Sequence, residues 1–276
     1  SIKNSYRVFS AGSAIEKKIC RSFLNSIINV KKYPLTELAN SVSSELSKIL
    51  ENSYRAINIA FIDEWTKFAE KLNINLFEVI EAIKKRKTHK NLMYPGLGVG
   101  GYCITKDPYY GKYSAECIHK FKDTNFPLSL MARKINNKMP NHSMFVLKKN
   151  INKLKSKKIL LAGITYKNDV ADTRNSPSEL VYDFLIKQKC KITCYDPLID
   201  YWEEKKINIE TKISNFKNFD VIIFAVPHKD FKSIKISHFS KKNFILDTNR
   251  CLDKKLINNL FSKKIKIKLI GDKNLI

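Results

Sequence analysis

Four of the chain's eight glycines fall within six residues, Gly96-Leu97-Gly98-Val99-Gly100-Gly101, and Cys103, Lys106 and Asp107 follow directly. A thiol just beyond a glycine-rich stretch, with a cation and a carboxylate beside it, has the parts of nucleophilic catalysis: an attacking sulfur and groups that move a proton. A buried, inert cysteine accounts for the same spacing, and spacing alone does not choose between the two. Gly96, Gly98 and Gly101 satisfy G-x-G-x-x-G in form. The dinucleotide fingerprint follows a buried strand and opens a helix, whereas residues 90–95 here are mixed and Tyr102-Cys103 follows. An irregular loop over 88–110 that lets a ligand approach the backbone is therefore expected.

Glu45, Lys48, Asn52 and Arg55 recur at a spacing that places all four on one face of a helix. Such a row either lines a site or is a solvated face. Further along, Gly163-Ile164-Thr165-Tyr166-Lys167 follows a short apolar run, Asp172-Thr173-Arg174-Asn175-Ser176-Pro177 leads into a helical pattern, and Arg250 follows Asp247-Thr248-Asn249. Strand ends and helix N-termini at the carboxyl edge of a parallel sheet bind anions. Lys167, Arg174 and Arg250 suit a diphosphate. The six cysteines form no C-x-x-C pair and the five histidines no H-E-x-x-H pair, so a metal site is not expected and the thiols are read as reduced.

The elements that must hold these groups follow from periodicity and punctuation. Residues 6–11 read as a strand, 13–26 as a helix with Ser13 at its N-cap, and 27–33 as a second strand. A long helix is predicted over 36–69, another over 75–87, and a third over 127–150. From 158 onward short apolar strands (158–163, 191–195, 220–226, 243–247, 266–270) alternate with helical or polar stretches, the grammar of a parallel α/β sheet.

The chain has 276 residues, 43% hydrophobic and 11% aromatic, enough for a sizeable core. No apolar stretch reaches the ~18 residues of a membrane span, and the first residues lack a secretory h-region. The 51 Lys+Arg against 26 Asp+Glu give a net charge of +25, which invites a nucleic-acid reading. Only seven of the basic residues are Arg, and the lysines are scattered along the chain, as on a solvated surface. No nucleic-acid partner and no membrane are expected, and the location is read as cytoplasmic.

In order along nearly the whole chain, these segments resemble the UDP-glucose/GDP-mannose dehydrogenase family. The resemblance rests on the helix with Glu45, Lys48 and Asn52, on PGLGVGGYCITKDP (95–108) and on GITYKNDVADTRNSP (163–177). The G-x-G-G-Y-C form followed by Asp107-Pro108-Tyr109-Tyr110 is more similar to the UDP-N-acetylhexosamine branch than to the UDP-glucose branch. The resemblance implies an NAD-dependent enzyme that oxidises the C6 alcohol of a UDP-sugar to the uronate in two hydride transfers, for polysaccharide precursors. It implies that Cys103 attacks the aldehyde to give a thiohemiacetal and then a thioester. Lys48 and Asn52 would stabilise charge on oxygen, and Asp107 would move a proton with water. Substrate contacts would come from Gly98, Gly100, Gly101, Tyr102, Arg55, Tyr166, Lys167 and Arg250, and from Lys87 across a dimer interface. Lys106 and Arg174 would face the cofactor.

The implied fold is α/β: a stub of an NAD-binding Rossmann domain (1–35), a helical central dimerisation domain with the Cys loop (36–150), and a Rossmann-like parallel-sheet UDP-binding domain (151–276). The main NAD-binding domain is expected to be missing. The chain is then either part of the enzyme or a non-catalytic remnant that binds UDP-sugar and forms a homodimer through the long helix.

Overall fold

The computed structural model describes residues 2–213 and 215–273. The chain divides into two compact units, Ser1–Tyr54 with Asp107–Asn125, and Arg55–Lys106 with Phe126–Ile276.

In the first unit, strand β1 (Arg7–Phe9) leads into helix α1 (Ala14–Ile27) and strand β2 (Leu35–Glu37) returns parallel to β1, with Val8 opposite Thr36. Ser13 caps α1 as expected: its hydroxyl accepts from the Glu16 amide, and the Glu16 carboxylate accepts from the Ser13 amide. The strand expected over 27–33 does not form. Its β-branched residues finish the helix, where the Ile28 amide bonds Leu24 O, and then turn, where the Tyr33 amide bonds Asn29 O. Extended chain resumes only after Pro34, one step beyond the propensity signal. Helix α2 (Ser41–Lys71) follows, with the Asn40 side chain accepting from the Ser43 amide.

Helix α3 (Leu76–Lys84) lies in the second unit, its first amides capped by Asn75. The loop expected over 88–110 ends early: helix α4 (Cys103–Tyr113) begins at the cysteine itself. The glycines thus do open a helix, with no strand before them. The single helix expected over 127–150 is two, α5 (Pro127–Asn136) and α6 (Met139–Asn150). Pro140 lacks the amide that would continue the ladder to Asn136 O. Gly98 uses that break, packing so close that a Cβ there would stand 3.1 Å from Asn136 O and 3.3 Å from Pro140 Cδ.

Strand β3 (Lys158–Ala162), helix α7 (Pro177–Lys187), strand β4 (Lys191–Tyr195), the antiparallel pair β5 (Tyr201–Trp202) and β6 (Ile207–Asn208), strand β7 (Val221–Phe224), strand β8 (Phe244–Asp247), helix α8 (Lys254–Ser262) and strand β9 (Lys266–Leu269) complete the chain. The main sheet is parallel throughout, in the order β4-β3-β7-β8-β9. Both faces are covered, as an all-parallel sheet requires. Ile159, Leu161, Val221 and Ile223 share one core with Leu147 of α6 and Val181 of α7. The alternate residues Leu160, Ile222 and Phe224 share the other with Leu256 and Leu260 of α8. The chain reverses direction of travel across the sheet between β3 and β7. A doubly wound sheet leaves a crevice at that switch point, outside the carboxyl ends of its strands. Among the described residues no helix is long and apolar enough to cross a membrane.

Candidate functional site

Two buried carboxylates shape the loops at this carboxyl edge. Asp196, just past β4, accepts from the amides of Ile164 (2.7 Å) and Thr165 (3.0 Å) and so fixes the start of the loop after β3. His228 supports it. The Asp169 amide donates to His228 Nδ1 at 3.2 Å, which leaves Nε2–H to face Asp196 Oδ2 at 3.2 Å. Burial raises the Asp196 carboxyl, but the bonds from His228, Thr165 and Ile164 outweigh it and hold the group below its ordinary value of 3.8. Asp247, the last residue of β8, accepts from the amides of Asn249 (3.2 Å), Cys251 (2.9 Å) and Leu252 (3.0 Å). Complete burial nevertheless pushes its carboxyl up. The turn so formed holds Arg250 at φ 49°, a left-handed conformation rare for a residue with a side chain.

Lys167 and Arg250 line different cavities of this unit. Arg250 borders one of about 820 Å³. Its Nη2 donates to Asn75 Oδ1 (3.0 Å) and Asp272 Oδ2 (3.1 Å), and its guanidinium lies 3.7 Å from the centroid of the Phe77 ring. Lys167 is exposed at the rim of another, of about 410 Å³, at the switch point itself. Tyr166 after β3, Ala225 to Pro227 after β7, and the 95–98 backbone wall this second cavity. Tyr94 and Asn249 border both.

The glycine stretch is tied to the segment that leads into α7. The Gly101 amide donates to Arg174 O at 3.0 Å, Asn175 Nδ2 donates to Gly101 O at 3.3 Å, and Asn249 Oδ1 accepts from the Leu97 amide at 3.0 Å. A Cβ on Gly100 would stand 2.6 Å from Asn175 O and 2.8 Å from Tyr166 Cβ, so no other residue fits without displacing backbone. Beyond the glycines, the exposed Tyr102 ring is flanked by Lys106 Nζ at 4.7 Å and the Arg174 guanidinium at 5.6 Å. Arg174 is steadied by Asp172 at 2.6 Å, which holds the Asp172 carboxyl low. Cys103 is exposed at the first position of α4.

In the other unit Asn52 Nδ2 donates to Asp107 Oδ2 at 2.6 Å, both side chains being buried. Of the polar row on α2, only Asn52 is buried. Glu45, Lys48 and Arg55 are exposed, and Lys48 Nζ lies 3.4 Å from Glu51. Lys87 is exposed in a short 3-10 turn.

Three residues were not singled out from the sequence. Asn249 braces the glycine stretch, and Asn75 holds both α3 and Arg250; each is a common polar residue whose type gives no sign of its partner, even where, as for Asn249, the segment around it was quoted. Asp63 had one legible signal, an acid among the small and uncharged residues Ala56, Ala60, Ile62 and Thr66 of α2, all of them buried. Its side chain is fully buried at the 410 Å³ cavity, and neither oxygen has a hydrogen-bond partner.

A doubly wound parallel sheet with Lys167 and Arg250 at its carboxyl edge, in one chain with helices that carry a cysteine behind glycines, defines a mixed α/β protein of the doubly wound class. Two family profiles match the chain: the central domain of the UDP-glucose/GDP-mannose dehydrogenase family at residues 42–138, and that family's UDP binding domain at residues 160–254. The chain belongs to this family. It is 34% identical over 266 residues to the UDP-N-acetyl-D-mannosamine dehydrogenase of Methanococcus vannielii, an alignment covering 93% of this chain and 56% of that protein. Among solved structures, the UDP-N-acetyl-mannosamine dehydrogenase of Staphylococcus aureus superposes with a TM-score of 0.77 at 27% identity, over 98% of this chain and 59% of that one. An NDP-N-acetyl-D-galactosaminuronic acid dehydrogenase from Methanosarcina mazei shares the fold, with a TM-score of 0.80 at 22% identity, over 99% and 59%. The chain spans about half the length of the curated relatives it matches.

Proposed function

We propose that this chain is the central and UDP-binding portion of an NAD-dependent UDP-sugar 6-dehydrogenase whose substrate is UDP-N-acetyl-D-mannosamine. The observation that carries the reading is the match to both family profiles together with the switch-point cavity, where Lys167 stands at the rim and the glycine stretch forms a wall. The sugar is the one on which the M. vannielii and S. aureus relatives act.

In this reading the Cys103 sulfur bonds to the C6 aldehyde carbon. Lys48 and Asn52 stabilise the charge that develops on the oxygen. Asp107, positioned by its bond from Asn52, takes a proton from the water that releases the acid from sulfur. The chemistry NAD would supply when bound is acceptance of two hydrides, one whose loss leaves the aldehyde and one whose loss turns its adduct with the Cys103 sulfur into the thioester that water then hydrolyses. Lys106 and Arg174 suit phosphate oxygens, but β1 and α1 are joined by Ser10-Ala11-Gly12-Ser13 rather than by a glycine-rich cradle. The described residues do not make an NAD site, and no hydride step is assigned to them. Helix α1 is compatible with packing against a further, NAD-binding portion: Ile15, Ile19 and Phe23 form one row, each more than 60% exposed, an apolar face that the described residues leave open.

Calorimetric titration with UDP tests the nucleotide site. The chain should bind UDP, and Lys167→Ala combined with Arg250→Ala should weaken binding at least about tenfold; unchanged affinity would refute the assignment. Joined to an NAD-binding half, the enzyme should form acid from UDP-N-acetyl-D-mannosamine, and Cys103→Ala should abolish it. The chain alone should produce no NADH.

A second reading, a chain that binds UDP-sugar and self-associates without catalysis, is favoured by α2. Val42, Leu46, Leu50, Phe61, Trp65 and Phe68 are large, apolar and exposed along it. We propose that this row is a homodimer contact in either case.

A further inference from the structure

Lysines that are scattered in the sequence gather at one place in the fold. Because the five strands of the main sheet are parallel, the segments that enter them share one edge, the amino edge. Backbone bonds tie these segments side by side. The Ser156 amide donates to Lys189 O at 2.9 Å, the Asp220 amide to Lys158 O at 2.8 Å, and the Phe244 amide to Asp220 O at 2.9 Å. The entering segments 153–158, 187–191, 217–220, 241–243 and 263–266 hold thirteen lysines and one acid, Asp220. That is nearly half of the chain's net charge of +25, in a row about 19 Å long at the usual strand spacing. Twelve of the thirteen are exposed. The other, Lys157, reaches Asp220 at 3.4 Å, and among the described residues no other lysine of the row has a carboxylate partner.

A lysine-rich composition does not account for the row, since the opposite edge of the same sheet has the reverse sign. The leaving segments 163–172, 196–200, 225–230, 248–253 and 270–273 hold seven acids against four cations. Local rules do not account for it either. Helix C-termini favour cations, which covers Lys187 and Lys263, and lysines guard outermost strands against pairing, which covers Lys191 and Lys266. Lys158, Lys217, Lys241 and Lys242 enter the three inner strands and meet neither need. Like charges one strand spacing apart repel, so the row gains from a partner of opposite sign.

We propose that the amino edge is a docking surface for an anionic phospholipid membrane, on which the protein adsorbs without inserting. The proposal does not depend on the UDP-sugar reading. The residue types choose this polyanion. Every cation of the row is Lys, a hydrated point charge suited to a diffuse layer of headgroups, and the segments carry no Arg for bidentate recognition of phosphates or bases. They also carry no exposed aromatic ring on which bases could stack. Long lysine stems bring ammonium groups from all five segments toward one surface. Beside the segments that enter β7, β8 and β9, a cavity of about 580 Å³ is lined by Lys217, Lys241, Lys263, Lys264 and three serines, with no acid. Ammonium and hydroxyl donors are the chemistry that accepts a phosphodiester headgroup. Lys167 and Arg250 belong to the opposite edge, whose acids turn it from an anionic surface, so adsorption leaves their cavities uncovered by the membrane.

Flotation with vesicles tests this. At about 100 mM NaCl the chain should float with phosphatidylcholine vesicles that contain about 30% phosphatidylserine, stay behind with pure phosphatidylcholine, and be released at about 500 mM NaCl. Lys191→Glu, Lys241→Glu and Lys266→Glu together, spread along the row, should weaken binding at least about tenfold. The same charge change on exposed lysines of the other compact unit, Lys18→Glu with Lys31→Glu and Lys122→Glu, should keep affinity within about twofold of wild type. A wild-type chain that ignores anionic vesicles, an edge variant that binds as wild type, or a variant of the other unit that weakens as much as the edge variant overturns the proposal. If the edge variant does not fold, Lys191→Gln, Lys241→Gln and Lys266→Gln together should still weaken binding at least about fivefold; undiminished binding overturns the proposal equally. Random-sequence duplex DNA added at equal phosphate should leave the chain on the vesicles. Displacement by that DNA assigns the row to nucleic acid and overturns the membrane.

Discussion

At the residue scale, Asp196 and Asp247 solve one problem twice. Each is buried at a strand end, and each gathers the backbone amides of a loop that must leave the sheet edge in a fixed direction, toward Lys167 in one case and Arg250 in the other. Removing the Asp196 carboxylate charge should therefore cost stability and loosen the Tyr166-Lys167 loop. Asp196→Asn keeps one acceptor oxygen but sets an amide group against donors, and should destabilise by about 2 kcal/mol at pH 7. The pH dependence follows from the direction of the shift. Because the folded carboxyl titrates below 3.8, its stabilisation is present above that value and is lost as pH falls through the folded value. Melting curves should show the gap between wild type and Asp196→Asn constant from pH 7 to 5 and shrinking below about pH 4. A gap that stays constant down to pH 2 would contradict the linkage. Lys167 and Arg250 were legible because cations after apolar runs stand out. The aspartates that aim them were not, since an Asp at a strand end reads as an ordinary turn residue until its amide partners, 31 residues away for Asp196 and Thr165, are known.

Elements were most legible where one periodicity rules a long stretch. The strands at 158–162, 221–224 and 244–247 fall where apolar runs predict them, since strands buried on both faces carry few polar positions to blur their limits, and the edge strand at 191–195, only partly buried, falls where the sequence predicts it too. Limits failed where tertiary contact decides: the β-branched residues after α1 lack a strand partner, and α5 and α6 separate where Gly98 must pass. The start of α4 at Cys103 was missed because glycines argue for a loop, yet they serve here by letting two chain segments touch. Gly100→Ala tests that role. The added methyl would meet Asn175 O and Tyr166 Cβ under 3 Å, so the loop must move. The expected cost is about 1–3 kcal/mol in stability, with weaker UDP binding through the displaced Tyr166. A variant that melts and binds as wild type would show that the glycine stretch is free to shift.

For the whole molecule, the net charge of +25 acts on association rather than on fold. The exposed apolar row of α2 favours contact between two copies, and two chains of the same high charge repel. These terms respond to salt in opposite ways. Added salt screens charge separated by more than the ~8 Å Debye length of physiological medium and shrinks that length to ~3 Å at 1 M, while hydrophobic burial is little affected. If the α2 row is the contact, sedimentation should show dimers that tighten between 50 mM and 500 mM NaCl, contrary to the weakening expected of an interface built on ion pairs. Trp65→Glu, placed in the row where the indole is half exposed, should leave monomers at every salt concentration. Trp65 lines neither cavity, so UDP affinity per chain should be unchanged. Monomers at all salt concentrations in the wild type, or a dimer indifferent to Trp65→Glu, would remove α2 as the contact.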